Sequence, residues 1–147
     1  MSALRNFYNH VDDISKQLMF EVDKKYFLLS ISYIRQILQG KKVEYLHKES
    51  NKIKGYIKLY DKVIPIIDIR DKLGAEVKAI KDNECLIILQ VYQKHVGIIV
   101  DRVINTVAIN HSQIYIEEPD ISINSIVSGS FHNQHGQVYI IDPYRLS

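Results

Sequence analysis

The chain has 147 residues, of which 24% are charged, and its formal net charge at pH 7 is +2. A chain of this length forms one ordinary domain or two very small ones. It buries about two-thirds of its unfolded surface, so it needs no disulfide or metal ion for stability. The small net charge does not indicate a nucleic-acid-binding protein, and the apolar runs fall well short of the ~20 residues that span a bilayer. We therefore expect a soluble protein without direct membrane insertion.

Cysteine usage indicates the cellular compartment. The chain has a single cysteine, Cys85, which cannot form an internal disulfide. The N-terminus carries no apolar run that resembles a secretion signal. Both features are typical of proteins in a reducing environment, and we predict a cytoplasmic location.

The first residues show the spacing of an amphipathic helix. Their apolar side chains recur every three or four positions: Leu4, Phe7, Tyr8, Val11 and Ile14. Ser2 precedes them and supplies a suitable N-cap. We predict a helix over approximately residues 3–14.

The rest of the chain has the composition of β-structure. Ile and Val together account for 36 residues and Tyr for 10, and these side chains favour strands. Turn-forming residues separate many of the short apolar runs, which are LMFEV, YFLLSI, GYIKL, VIPII, CLIILQV, HVGIIV and VYII. This pattern predicts an all-β sandwich or barrel. A second, short helix is predicted after Asp68, with Gly74 as its end.

The two halves of the chain share one order of strands and turns. When the chain is aligned with itself, residues 18–22 fall on residues 87–91. Later correspondences need a slightly larger offset, which aligns Gly55 with Gly129 and Asp68 with Asp142. Few residues are identical, so chance alignment of β-rich segments is the alternative to duplication. About five strands in each half are enough to close a small barrel, and we predict two similar subdomains, approximately residues 16–81 and 82–147.

Pro65 stands inside the strand pattern VIPII. Proline in a sheet is confined to edges, strand starts and bulges, because it has no N–H for the ladder. We therefore predict that the barrel wall bends at Pro65 or that a backbone edge is unpaired there. Such an edge can receive a partner.

The sequence contains no convincing catalytic or metal-binding group of residues. Asp68, Asp101 and Asp142 each follow an apolar run, as strand-ending residues at turns do, and acid–base catalysis would need partners around a pocket. His132 and His135 have a spacing compatible with metal binding, but no Cys or acidic residue flanks them. We predict no enzymatic activity, no metal ion and no cofactor.

The lysine-rich segment 41–62 offers one alternative function. It contains seven lysines interleaved with Tyr45, Tyr56 and Tyr60, and aromatic side chains in a basic groove can bind single-stranded nucleic acid. However, the segment has no arginine, and residues 82–147 are acidic, with 3 Lys and Arg against 7 Asp and Glu. A solvated lysine-rich face is the simpler interpretation, so nucleic acid is not expected as a partner.

Three stretches resemble the signature segments of the CheW family of chemotaxis coupling proteins: FEVDKKYFLLSISYIRQI, IKGYIKLYDKVIPIIDIRDKLG and HVGIIVDRVINTV. The resemblance runs from about Gln17 to Leu146. It implies two pseudo-symmetric five-stranded barrels of the Src-homology-3 type, packed together, and no enzymatic activity. CheW-like proteins link the cytoplasmic tips of chemoreceptors to the regulatory domain of a chemotaxis histidine kinase in membrane receptor arrays. The resemblance therefore implies these partners, together with other CheW-like proteins in rings.

The resemblance also implies two contact surfaces. The receptor-binding groove between the barrels comprises Ile34, Gln36, Cys85, Leu86 and Gly97. The kinase or array interface comprises Gly55, Tyr60, Asp61 and Pro65. For the apolar members of both sets, plain barrel core is the alternative interpretation.

Two short stretches depart from the family pattern. Where the family commonly has Asn-Leu-Arg-Gly, this chain has KLYD at residues 58–61, and where the family usually has Val-x-Glu-Ile, it has IRQI at residues 34–37. Tyr60 thus replaces an arginine and Gln36 a glutamate. A coordinated loss of both charges fits a rewired interface. A CheW-like adaptor of a non-flagellar chemosensory system, such as one governing pilus motility, is an alternative to a flagellar one.

Overall fold

The computed structural model describes residues 14–40, 43–45, 53–72, 85–116 and 126–146. The strands of the first half are β1 (Ile14–Val22), β2 (Lys25–Ser30), β3 (Ile34–Gln39), β4 (Glu44–Tyr45), β5 (Gly55–Leu59) and β6 (Lys62–Asp68). The strands of the second half are β7 (Cys85–Val91), β8 (Lys94–Val100), β9 (Arg102–Asn110), β10 (Tyr115–Ile116), β11 (Val127–Asn133) and β12 (Gly136–Ile141). One short helix, α1 (Ile69–Lys72), follows β6. Turns of 3-10 helix lie at Ile31–Tyr33, His111–Gln113 and Pro143–Arg145.

These elements confirm the predicted all-β fold. The helix predicted over residues 3–14 lies outside the described residues except for Ile14, which instead begins β1. Helix α1 lies directly after Asp68, where a short helix was predicted, and its predicted end at Gly74 is also outside the described residues.

The strands form two sheets of closely similar design. Sheet A has the order β10-β11-β12-β2-β1-β9, and sheet B has the order β3-β7-β8-β6-β5-β4. Each sheet contains five longer strands and one strand of only two residues. This confirms the two small five-stranded units that the sequence predicts, each curved as a half-barrel.

Each half of the sequence places its first hairpin in the sheet of the other half. The β1–β2 hairpin belongs to sheet A with β9 to β12, whereas the β7–β8 hairpin belongs to sheet B with β3 to β6. Both sheets therefore draw strands from either side of the predicted division near residue 82.

The internal repeat appears as matching strand boundaries. Val22 and Val91, which align in the repeat, both end a strand before a two-residue turn. Gly55 and Gly129, which also align, occupy the same position against a two-residue strand. A β-carbon on Gly55 would lie 2.4 Å from the Glu44 carbonyl oxygen. Because a paired backbone cannot easily move away, this position needs glycine.

Three apolar clusters stabilise this arrangement. A central cluster lies between the sheets, a second belongs to sheet B and a third to sheet A. Strand β7 contributes to two of them, because Ile87 faces the central cluster and its neighbours Leu86 and Ile88 face the cluster of sheet B. A strand that is covered on both faces has a continuous apolar sequence, which explains the run CLIILQV.

The ladder between β6 and β8 begins directly after Pro65. These strands run parallel, and their pairing begins at Ile66 opposite Gly97. In sheet A the corresponding pairing of β12 with β2 begins earlier in the repeat, at Val138, and includes Tyr139, the counterpart of Pro65. Tyrosine has an N–H for the ladder and proline has none. The missing donor therefore accounts for the absence of Pro65 from the ladder with β8, while on its other side Pro65 pairs with Tyr56 of β5.

Candidate functional site

The turn between β5 and β6 presents two exposed side chains. Tyr60 and Asp61 are the central residues of this two-residue turn, and their φ angles are +56° and +55°. Two positive φ angles define a type I′ turn, which suits the twist of antiparallel strands but favours Asn and Gly. Tyr60 is 47% exposed, so the turn displays an aromatic side chain on strained backbone.

The Tyr60 hydroxyl donates a hydrogen bond to Oε1 of Gln36. Gln36 lies half-buried on β3, at one edge of sheet B, whereas the β5–β6 turn lies towards the opposite edge. The bond therefore links two distant strands of one curved sheet. Tyr60 and Gln36 are the two residues that the sequence analysis interprets as departures from the family pattern, and the structure brings them into direct contact.

Basic side chains surround this contact. The ring of Tyr60 lies 6.0 Å from that of His95, and Nε of Arg35 donates a hydrogen bond of 2.6 Å to Oε1 of Gln90. Burial, and then the positive charges of Lys62 and Arg35, lower the pKa of the His95 imidazole from its usual value. The lowered pKa favours the neutral form of His95, and Lys62 and Arg35 supply positive charge beside it.

The residues predicted for the receptor-binding groove divide by burial. Ile34 and Gln36 are half-buried on edge strand β3 and remain accessible. Cys85 and Leu86 are buried on opposite faces of β7, and Gly97 is buried on β8. Burial raises the pKa of the Cys85 thiol, which makes it less reactive. A partner can touch these three residues only if the packing of the central cluster, for Cys85, or of the sheet B cluster, for Leu86 and Gly97, changes.

The residues predicted for the kinase interface also differ in exposure. Tyr60 and Asp61 are exposed at the β5–β6 turn, and Pro65 is half-buried. Gly55 is buried against β4 and can influence a partner only through the position of that strand.

Pro65 lines an apolar cleft of about 890 Å³. The cleft lies between β6, the β7–β8 turn and the C-terminal 3-10 helix. Its lining residues are Ile53, Pro65, Ile67, Val91, Tyr92, Gln93, Lys94, His95, Val96, Pro143 and Leu146. Sequence reasoning identified Pro65 alone among them, because the others come together only through the exchange of hairpins between the sheets.

Three tyrosines form a row beside the cleft. Tyr144 packs edge-on against Tyr33, with ring centroids 5.7 Å apart, and lies 5.0 Å from Tyr92. The Tyr33 hydroxyl donates to that of Tyr144 over 3.2 Å, and this bond is the main cause of the raised pKa of Tyr33. Tyr92 is 81% exposed. The row was not predicted, since its members come from three distant parts of the chain.

The strand-ending aspartates have structural roles. Asp68 forms a buried ion pair with Arg70, and Asp142 accepts a hydrogen bond from the backbone N–H of Tyr144. Asp101 accepts one from the backbone N–H of Asp23 over 2.7 Å, which joins two turns.

The described part of the chain gives little support to metal binding, membrane insertion or nucleic-acid binding. It contains no group of three or more metal-ligating side chains, and none of its helices has the length and apolarity to cross a membrane. His132 lies on β11, and His135 packs its ring 4.9 Å from Tyr26. Tyr56, a predicted base-stacking residue, donates its hydroxyl to Glu44 over 2.9 Å.

The sequence model of the CheW-like domain matches residues 16–147. The chain belongs to this family. Members of the CheW family are non-enzymatic scaffold or adaptor proteins of chemotaxis. The absence of a catalytic constellation in the sequence agrees with this role, since an adaptor needs contact surfaces and no reactive centre.

Two characterised relatives carry the same description. Chemotaxis protein CheW of Bacillus subtilis is 28% identical over 118 residues, which cover 76% of each chain. Chemotaxis protein CheW of Klebsiella aerogenes is 28% identical over 97 residues, which cover 66% of this chain and 58% of that protein. The scaffolding protein TtCheW of Thermoanaerobacter tengcongensis shares the fold, with a TM-score of 0.80, 22% identity, and coverage of 90% of this chain and 91% of that one.

Replacement of Gly97 tests the packing inside sheet B of this CheW-like protein. A β-carbon at this position would lie 2.4 Å from Cδ1 of Ile66 and 3.1 Å from Cδ1 of Ile88. We expect Gly97→Val to lower the free energy of unfolding by about 1–3 kcal/mol, as overpacking of a core does. Denaturant unfolding measures this loss. Gly97→Ala adds a smaller group and should cost less, and equal stability of all three proteins would contradict a crowded site.

Proposed function

We propose that this chain couples the cytoplasmic tips of chemoreceptors to a chemotaxis histidine kinase. On this proposal it acts in the cytoplasm and is recruited to receptor arrays at the membrane. The observation that carries the proposal is the contact between Tyr60 and Gln36. It occurs at an exposed turn, and it joins the two positions at which the chain differs from the family pattern.

The receptor side of the proposal uses strand β3. This strand is an edge of sheet B, and its side chains alternate between half-buried and exposed along Ile34–Gln39. Ile37 is 42% exposed, so the edge offers apolar area beside Gln36. A helical receptor tip could lay its apolar face along such a surface, as in other helix-in-groove complexes.

The kinase side of the proposal uses the β5–β6 turn and the adjacent cleft. Tyr60 offers a large contact area at a low entropic cost, which suits an interface anchor. Asp61 and Lys62 place opposite charges next to it. Tyr60 also contacts Gln36 on β3, the strand proposed to bind the receptor. A kinase that displaces the Tyr60 ring would therefore change the position of Gln36 on the receptor-binding surface. The hydrogen bond thus offers a direct physical link between the two contacts.

Reconstitution tests the proposed coupling. The full chain is mixed with a chemoreceptor signalling fragment and the histidine kinase of the same organism, and co-sedimentation and kinase autophosphorylation are measured. We expect a ternary complex and kinase control by the receptor only when the chain is present. A chain that binds neither partner would contradict the proposal. Partners from a pilus-motility system serve as the comparison, because the same geometry can act in a non-flagellar adaptor.

The idea of a rewired interface can be tested by changing the β5–β6 turn back to the Arg-Gly of the family pattern. We expect Tyr60→Arg combined with Asp61→Gly to preserve the fold, because glycine relieves the backbone strain at φ +55°. The variant loses the bond to Gln36, so its complex with its own partners should weaken by at least ~1 kcal/mol. Binding to a conventional chemoreceptor and kinase pair should improve.

The control for this experiment is Tyr60→Phe, which removes the hydroxyl and keeps the ring. It separates the hydrogen bond to Gln36 from the contact area of Tyr60. Affinities for both partner sets and a melting curve are compared for the parent and the two variants. If the double variant binds its own partners as tightly as the parent, the differences at these positions are neutral and the rewired interface is wrong.

A further inference from the structure

The ladder between β6 and β8 does not reach the first residues of β8, which line the cleft. Lys94 to Val96 pair with β7, but the described pairing of β8 with β6 begins only at Gly97. Hydrogen-bonded and non-hydrogen-bonded pairs alternate along an antiparallel ladder. The pair Val91 and Lys94 closes the two-residue turn and is a hydrogen-bonded pair. The next residue, His95, therefore directs its N–H and C=O away from β7 and towards β6.

Strand β6 cannot satisfy the carbonyl of His95 in the way that sheet A does. The counterpart of Pro65 in sheet A is Tyr139, which pairs with Phe27 on the parallel neighbour β2. Pro65 has no N–H, so it cannot donate to the β8 main chain at the corresponding place. The carbonyl of His95 is therefore left without a ladder donor from β6, at the wall of an apolar cleft.

The charge around the cleft selects the chemistry of an occupant. Lys94 and His95 line it, and Lys62 and Arg35 add positive potential at His95. Among the described lining residues none is acidic. Apart from Gln93, the remaining walls are apolar or aromatic, with Tyr92 highly exposed at the rim. An occupant with apolar side chains and carboxylates complements both features.

We propose that the cleft binds an extended, acidic segment of a partner protein, which adds a short strand to the exposed edge of β8. Addition of a strand to an open sheet edge is an established mode of peptide recognition. An α-helix already satisfies its own backbone groups, so it cannot supply the main-chain N–H that the His95 carbonyl lacks from β6. Alternating apolar and acidic residues would direct one face into the cleft and the other towards Lys94.

Synthetic peptides test this proposal with the full chain and without receptor or kinase. The probe is a short fluorescent peptide in which valine alternates with glutamate. One control has the same composition, with valines at helical spacing, and a second replaces glutamate by lysine. We expect the alternating acidic peptide to bind and both controls to bind at least about tenfold more weakly. Equal binding of the helical-spacing control, or no binding of any peptide below about 1 mM, would overturn the proposal.

N-methylation identifies strand addition directly. Two versions of the acidic peptide carry N-methyl groups at every second residue. In an extended chain successive N–H groups point to opposite edges, so one version blocks the N–H groups of one edge and the other version blocks those of the opposite edge. Only one edge can face β8, so we expect one version to lose binding at least about tenfold and the other to retain it. Equal affinities of the two versions would show that main-chain bonds are not involved and would overturn the proposal.

Replacement of Pro65 tests the same proposal independently of the peptide's sequence. Pro65→Val restores the N–H that β6 lacks, so we expect β6 and β8 to pair further and peptide affinity to fall at least about tenfold. The matched control is Val63→Thr, which alters an exposed residue of the same strand that does not line the cleft. Binding by Pro65→Val equal to that of the parent, in a variant with an unchanged melting temperature, would contradict the proposal.

Discussion

Neither half of the chain is expected to fold when residues 1–81 and residues 82–147 are produced separately, and mixing the two is expected to restore the folded protein. Each sheet requires a hairpin from the other half: sheet A the β1–β2 hairpin, and sheet B the β7–β8 hairpin. An isolated hairpin is at best marginally stable in water. Separation therefore removes central strands from both sheets at once.

The burial of β7 makes this loss severe. All of its residues except Gln90 are buried, and its two faces belong to different clusters. Phe20 and Phe27 of the β1–β2 hairpin are fully buried in the central cluster. Each fragment would expose these apolar surfaces, and burial of apolar surface is the main favourable term in folding.

Circular dichroism and thermal melting of the fragments, their mixture and the intact chain provide the measurement. We expect no cooperative transition for either fragment alone and a cooperative transition for the equimolar mixture. A cooperative melt of residues 82–147 alone would show that the sequence repeat is an independent folding unit. In that case the exchange of hairpins would not be needed for stability.

The internal repeat follows the two halves of the sequence, whereas each sheet takes strands from both halves. This difference shows what local sequence patterns can predict. The repeat was readable because strand length and turn position are local properties, and Val22 and Val91 both end their strands before two-residue turns. The choice of pairing partner is not local. Parallel contacts such as that between Ile66 and Gly97 leave no periodic signal in the sequence. Sequence analysis therefore predicted the strands and their order but not the exchange.

The candidate site was predictable to a different degree at each position. Gln36 and Tyr60 were recognised because they depart from the family pattern, but their contact depends on the curvature of sheet B. The buried state of Leu86 had a signal, since the continuous apolar run of β7 is typical of a strand covered on both faces. The row of Tyr33, Tyr92 and Tyr144 had none. Aromatic residues far apart in sequence meet only through tertiary packing.

Loss of the charge on Asp68 is expected to give the largest effect of any single polar substitution considered. Its carboxylate receives a fork of hydrogen bonds from Arg70, through Nε at 2.9 and 3.1 Å and through Nη2 at 2.8 Å. It also accepts the backbone N–H of Arg70 at 3.0 Å. Asp68 is 1% exposed and Arg70 4% exposed. The two charges therefore balance each other away from water.

Asp68→Asn keeps the size of the side chain and removes its charge. One carboxylate oxygen becomes an NH₂ group, which cannot accept from the guanidinium, and the buried ion pair between Arg70 and position 68 is lost. Removal of one partner of a buried ion pair costs about 3–5 kcal/mol. For a chain of this size we expect the melting temperature to fall by roughly 10 °C.

The internal repeat supplies the matched control. Asp142 occupies the equivalent position at the end of β12 and pairs with Arg145 at 3.2 Å, but these side chains are 26% and 41% exposed. Asp142→Asn should therefore cost no more than about 1 kcal/mol, and this cost should shrink as salt screens the pair. The loss in Asp68→Asn should persist at high salt, because water and ions do not reach the pair. Equal losses in the two variants, or an Asp68→Asn variant as stable as the parent, would mean that burial does not distinguish the two ion pairs.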